Sequence, residues 1–290
     1  MIDKPEAIEN TRVGVIDVGS NSVRLVVFDG AIRSPSYFYN EKVMAGLGLD
    51  LAKTGKLHPE GKERAIRALR RFHEIAGRMD LVSLAAVATE AVRAASDGPE
   101  FCQRVLDEVG IELVPISGEQ EANLSAQGVL LGWPKASGLV CDIGGASMEL
   151  AALEVGDVIK TRSSKLGPMA ILGRTDDVGA QAIYIKTGLE TLVKGFNLKT
   201  DTLFLVGGSW RGLAMLHMAR TEYPLRVLHD YVVSPAAFLD TLDFAINRSP
   251  EELQEQTKVA SSRANLLPTA TKIMQELLEI LDIGEIAFSS

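Results

Sequence analysis

The sequence predicts an α/β protein made of two similar halves, and three observations point to it. Short apolar runs of strand length alternate with segments whose apolar residues recur at helical spacing, with no low-complexity tract between them. The stretch VIDVGSNSVRL, Val15–Leu25, returns as VCDIGGASMEL, Val140–Leu150; Asp17 and Asp142, Gly19 and Gly144, Ser22 and Ser147, Leu25 and Leu150 all differ by 125 positions. A chain of 290 residues with 46% hydrophobic side chains can fill two cores at about 150 residues per domain.

The elements follow in order. Val13–Ile16, Val23–Phe28 and Ser36–Lys42 read as a three-strand meander joined by Gly- and Ser-containing turns. Pro59 to Arg78 reads as a helix, because Ala65, Ile66, Leu69, Phe72, His73 and Ala76 share one face and Gly77 stands near its end. Leu81–Ala88 is a continuous apolar run, as in a buried strand, and Pro99–Val109 is a second helix. A strand at Glu112–Ile116 leads into a helix from Ser117, after which the pattern restarts. It continues through strands Gly138–Asp142 and Ser147–Leu153, a turn at Val155–Asp157, strand Val158–Arg162, a helix near Gln181–Phe196 and strand Thr202–Val206. Helices Ser209–Arg220, Pro235–Asn247 and Thr269–Leu281 precede a last strand, Glu285–Ser289.

Composition excludes several classes. The first residues, MIDKPEAIENTR, lack a basic head followed by an apolar segment, and no run approaches the roughly 18 apolar residues of a membrane helix, so the cytoplasm is the expected location. Cys102 and Cys141 are too few and too far apart for a disulfide framework, and read as buried, reduced thiols. A formal charge of −8 argues against bulk attraction to a nucleic-acid polymer or an anionic membrane. A polyanionic substrate would need a local basic groove or a bridging metal.

The repeat carries the chemistry. In each copy a strand delivers an Asp to its tip, and Gly allows a tight turn that aims successive N–H groups at one point, as a phosphate requires. Either copy alone reads more readily as a hairpin turn. A turn does not need a Ser three residues past the Gly and a Leu three further on, twice. Two facing copies would form a cleft with an anion cradle on each wall. A third Gly-rich turn, in LFLVGGSWRG, puts Gly207, Gly208 and Ser209 at a strand-to-helix junction, either an anion site or a tight turn capped by Ser209. Ser117 and Gln120 form a capping box, which sets Glu119 at N2 and Glu121 at N4 of the next helix, where the dipole favours acids.

With VIDVGSNSVRLVV, GLGLDLAKTGKLHPEGKERAIRALRRF, VATEAVRAASDGPEF, ISGEQEANL, CDIGGASMEL and VGGSWRGLA in one order, the chain resembles the exopolyphosphatase/guanosine pentaphosphate phosphohydrolase (Ppx/GppA) family of the actin-like superfamily. The resemblance implies two actin-like (ribonuclease H-like) domains, 1–124 and 125–290, with a phosphate-binding cleft between them. It implies Glu121 as the catalytic carboxylate that takes a proton from attacking water, and Mg²⁺ at Asp142 and Glu149, directly or through its waters. It implies phosphate contacts from Gly19, Ser20, Asn21, Ser22, Arg93, Gly144, Gly145, Ala146, Ser147, Gly208 and Ser209. Asp17 either shares the metal or fixes the first loop, while Glu119 stays a solvated first-turn acid.

There are departures. The family's GGGSTE reads Gly144-Gly145-Ala146-Ser147-Met148-Glu149, where Ala146 and Met148 are expected to weaken phosphate contacts, and its Leu-Pro-Leu-Gly reads Ser164-Lys165-Leu166-Gly167. Family members run on past the strand matching Glu285–Ser289, many into a helical domain resembling HD phosphohydrolases, so a stop at Ser290 reads either as a core cut from a longer chain, which the abrupt stop at a strand end favours, or as a short natural form. The activity implied is release of terminal orthophosphate from inorganic polyphosphate. The alternatives are hydrolysis of pppGpp to ppGpp, a catalytically weak module that binds either compound, and, last, a small-molecule kinase. A homodimer is compatible with the sequence.

Overall fold

The computed structural model describes residues 12–30, 36–196, 202–257 and 261–289. All but the last residue of the N-terminal segment read above for targeting lies outside them. Contacts divide the chain into two units, one of Met1–Asp50 and Gly55–Ile116, the other of Leu51–Thr54 and Ser117–Ser290.

The first unit is built on a five-stranded sheet: β1 Val13–Val18, β2 Ser22–Phe28, β3 Tyr37–Met44, β4 Ser83–Ala88 and β5 Val114–Pro115, in the order β3-β2-β1-β4-β5. The meander β1-β2-β3 is antiparallel, and β4 and β5 add in parallel on the other side of β1. Helix Pro59–Ala76 begins with proline at N1, where no N–H is required, and His58 accepts from the Gly61 amide as its cap. It buries Ala65, Ile66, Leu69 and Phe72, as its spacing predicts.

The second unit repeats the plan. Its strands are β6 Gly138–Ile143, β7 Met148–Glu154, β8 Asp157–Ser164, β9 Thr202–Gly207, β10 Tyr231–Val233 and β11 Glu285–Phe288, ordered β10-β11-β9-β6-β7-β8. Again the first three are antiparallel, and β9 and β11 lie parallel to β6; β10 is an added antiparallel edge. The two sheets share one strand order, apart from the added edge strand β10. The repeat at 125 positions is therefore one supersecondary unit used twice, β1-β2 and β6-β7.

Both faces of the second sheet are covered, which is why β6 and β7 are almost wholly buried. On one face helix Gly118–Gly132 lays Ala122, Ala126 and Val129 against Val140, Ala151, Leu153 and Phe204. On the other, Leu139, Cys141 and Ile143 meet Ile185 and Leu189 of helix Val178–Val193 and Trp210 and Leu213 of helix Gly208–Arg220. Val155 at φ 51° and Gly156 at φ 90° make the β7–β8 turn. The short helices Leu51–Thr54 and Pro168–Arg174 are absent from the sequence reading, being too short to show a period. The strand read at 112–116 pairs only at Val114–Pro115, at an edge where a proline is tolerated.

Candidate active site

Both repeat loops close the same way. The Gly19 amide donates to Ser22 O at 2.9 Å, and the Gly144 amide to Ser147 O at 3.0 Å. In the first loop the Ser20 carbonyl accepts from Gly48 and the Asn21 carbonyl from Ala45 and Gly46; in the second, the Gly145 carbonyl accepts from Met169 and the Ala146 carbonyl from Gly167. These are the same two positions in each copy. The peptide bonds are trans, so a carbonyl drawn back into the protein turns the following amide the other way. Asn21 and Ser22 in one loop, and Ala146 and Ser147 in the other, thus aim their N–H groups outward together, as an anion cradle needs.

The glycines play a different part from the one read in the sequence. Neither Gly19 nor Gly144 has a positive φ, and a Cβ on either would make only ordinary contact, with Ser22 O at 3.4 Å and Ser147 O at 3.6 Å. Gly167, by contrast, cannot carry a side chain: its Cβ would lie 2.4 Å from the Ala146 carbonyl carbon.

The two copies differ at one decisive pair. Across β1 and β2, Asp17 stands opposite Arg24; across β6 and β7, Asp142 stands opposite Glu149. Like charges directly opposed destabilise a ladder, whereas an acid facing a base does not. At this pair of positions only the second copy opposes like charges. Glu149 is 1% exposed; its Oε1 accepts from Ser163 Oγ at 2.7 Å, and its Oε2 is buried with no hydrogen-bond partner among the described residues. Burial pushes its carboxyl well above the usual range, and the charges of Glu121 and Asp142 add to that, while the Ser163 and Ser147 hydroxyls oppose it. Asp142 is half-buried and takes a hydrogen bond from Ser125 Oγ. Burial raises its carboxyl too, against the Ser125 hydroxyl, the Arg211 charge and the Ile143 amide.

Glu121 reaches this cluster from helix Gly118–Gly132. The capping box forms in full: Ser117 Oγ accepts from the Gln120 amide, and Gln120 Oε1 accepts from the Ser117 amide. Glu119 is exposed and Glu121 half-buried, as their N2 and N4 positions imply. At the third turn, helix Gly208–Arg220 begins one or two residues earlier than read, with Gly207 as its cap and no side-chain cap bond from Ser209. Gly208 and Ser209 therefore supply first-turn amides. Gly207 sits at φ 111°, where a Cβ would lie 2.5 Å from Ile143 O and 2.9 Å from Asp142 Oδ1, so glycine lets β9 close on the tip of β6.

The chain matches the Ppx/GppA phosphatase family over residues 11–290. It belongs to that family. It is 35% identical over 144 residues to exopolyphosphatase 1 of Mycobacterium tuberculosis, a match covering 49% of this chain and 42% of that protein. It is 25% identical to exopolyphosphatase 2 of the same organism over 92% of this chain and 90% of the other. The fold superposes on the crystal structure of an exopolyphosphatase from Cytophaga hutchinsonii with a TM-score of 0.87 at 23% identity, over 97% of this chain and 94% of that one.

Relative to the Ppx/GppA pattern, the second loop carries two substitutions, Ala146 and Met148. Ala146 is 3% exposed and Met148 is wholly buried in the core. Lys165 is exposed at the end of β8. Arg93 donates to the Ile116 carbonyl and, at 2.6 Å, to Glu90 Oε2, both inside the first unit. Asp17 is exposed. Ser125, Ser163 and Arg211 escaped the sequence reading. The signal for Ser125 was its place one turn after Glu121; for Arg211, its place just past Gly207-Gly208-Ser209.

The donor set bears on a metal. Among the described residues no group of three or more His, Cys, Asp or Glu side chains is placed to enclose an ion. Mg²⁺ asks for less, since it keeps several waters and takes one or two carboxylates beside substrate phosphates. Asp142 and Glu149, with a buried Glu149 oxygen lacking a partner, fit that need. No helix among the described residues is long and apolar enough to cross a membrane.

Proposed function

We propose that the chain is an exophosphohydrolase that releases terminal orthophosphate from inorganic polyphosphate. The observation that carries this reading is the like-charged pair Asp142–Glu149 beneath the second loop, with the Glu121 charge beside it, where the duplicate loop has Asp17 opposite Arg24. A structure keeps such a cost where a cation or reacting group offsets it. In this reading Asp142 and Glu149 hold Mg²⁺, which when bound would neutralise charge on the phosphoryl oxygens. The amides of Ala146 and Ser147, and those of Gly208 and Ser209, hold phosphate oxygens, and Gly19–Ser22 offers a like cradle in the first unit. Glu121 takes the proton from the attacking water.

The matched exopolyphosphatase 1 sequences are covered over only 42% of their length, and activity here is therefore inferred from the site. The relatives named exopolyphosphatase support polyphosphate over pppGpp as the substrate. The test is orthophosphate release from long polyphosphate and from pppGpp, each with and without Mg²⁺. Mg²⁺-dependent release from polyphosphate is expected. Release from pppGpp alone would replace the substrate, and binding without turnover of either would make the chain a sensor.

A further inference from the structure

A side chain of the helix that carries Glu121 is bonded to the tip of β6. Ser125 lies four residues after Glu121, so the two share one helix face. A mid-helix serine commonly turns back to the carbonyl four residues before it or faces water. Ser125 instead donates to Asp142 Oδ2, seventeen positions along the chain and in the neighbouring layer. Its reach is short, and the packing explains why it suffices: Ala122 and Ala126, 1% and 0% exposed, bring the helix down onto Val140 and Ala151. Ser163 holds Glu149 in a different manner, from the directly opposed position of the next strand. That contact sets one side chain within the sheet. The Ser125 contact sets one layer against another.

Resting on the reading above, we propose that Ser125 is a positioning residue: its bond to Asp142 fixes the distance and angle at which Glu121 faces the Asp142–Glu149 pair. General-base catalysis is sensitive to such placement, and an ångström of drift can cost about a hundredfold in rate. Because the hydroxyl acts on the arrangement and touches no substrate, its loss should lower kcat and leave KM nearly unchanged. Threonine carries the same oxygen and should restore the arrangement.

The test compares the full chain with Ser125→Ala and Ser125→Thr, by phosphate release in Mg²⁺ and by Mn²⁺ binding followed by electron paramagnetic resonance without substrate. The alanine variant should lose about 10–100-fold in kcat at a similar KM, with threonine within about 3-fold of wild type. Wild-type kcat in the alanine variant, or equal impairment of both variants, overturns the proposal. If the wild type releases phosphate from no substrate, the hydrolase reading fails and Mn²⁺ decides this one. Binding weakened about tenfold by alanine and recovered by threonine then upholds it, whereas equal affinity in all three, or no binding by wild type, overturns it.

Discussion

Two carboxylates opposed on a ladder, one of them 1% exposed, are a local defect that stability alone would remove. Glu121 adds a third acid, and its assigned task is the simplest to isolate. Glu121→Gln keeps the shape and removes the base, so kcat should fall by about 10²–10⁴, or about 3–5 kcal/mol of barrier, while substrate still binds. Stopped-assay kinetics with polyphosphate would show it, and wild-type turnover would refute the role. Gly207→Ala is predicted to act through the backbone. At φ 111° its methyl must push on Ile143 O and Asp142 Oδ1, so the fold should lose about 1–3 kcal/mol in denaturant unfolding and Asp142 should shift. Much of this site was legible in sequence, because Asp142, Glu149 and Glu121 lie within contiguous motifs. The serines were not. Ser163 meets Glu149 only after β7 turns into β8, and Arg211 acts on Asp142 only because β9 lies parallel beside β6.

Two helices carry consequences of their own. The capping box at Ser117 satisfies donors at the start of helix Gly118–Gly132, and Glu121 sits just beyond it. Ser117→Ala should cost about 1 kcal/mol in denaturant unfolding, and local fraying should also lower kcat, with Ser117→Asp restoring both. A loss of stability with wild-type kcat would show that the first turn is held by packing alone. The other case joins helices Gly208–Arg220 and Pro235–Ile246, where buried His217 Nδ1 lies 2.7 Å from Thr241 Oγ1. Burial holds the His217 pKa below its ordinary value, aided by the Arg220 charge and opposed by Asp240. The folded state therefore binds fewer protons than the unfolded chain, and this contribution, complete above about pH 6.5, is lost as the pH falls below it. Comparing melting temperatures at pH 7.5 and 5.5, His217→Gln should show a smaller acid-induced drop than wild type. An equal drop would place the pH dependence elsewhere. The long elements were readable because periodicity and caps agree over many residues; Leu51–Thr54 and Pro168–Arg174 offer too few positions for a period.

At the scale of the whole chain, the sequence repeat disclosed the duplicated strand order, yet the two units are chemically unequal because one residue of the repeat, Arg24 in one copy and Glu149 in the other, changes sign. The same question of sign applies to the molecule at large. Its formal charge is −8, and inorganic polyphosphate carries about one negative charge per unit. In the proposed function, the loops and a cation held by the acidic pair would offset the repulsion only over the few terminal phosphates they contact. The remainder of a long substrate meets a surface of like sign, and nothing in that balance retains it after a phosphate leaves. The chain should therefore cleave distributively: each encounter removes a phosphate or a few, and the shortened polymer departs. Followed on a gel, long polyphosphate should pass through a broad ladder of intermediate lengths under excess substrate. Added salt screens the distal repulsion, with a Debye length falling from about 10 Å at 0.1 M to about 3 Å at 1 M, so the ladder should narrow as salt rises until the direct contacts weaken. Full-length polymer vanishing straight to orthophosphate, with no intermediates at low salt, would mean that local contacts outweigh the net charge and hold the polymer through successive cuts.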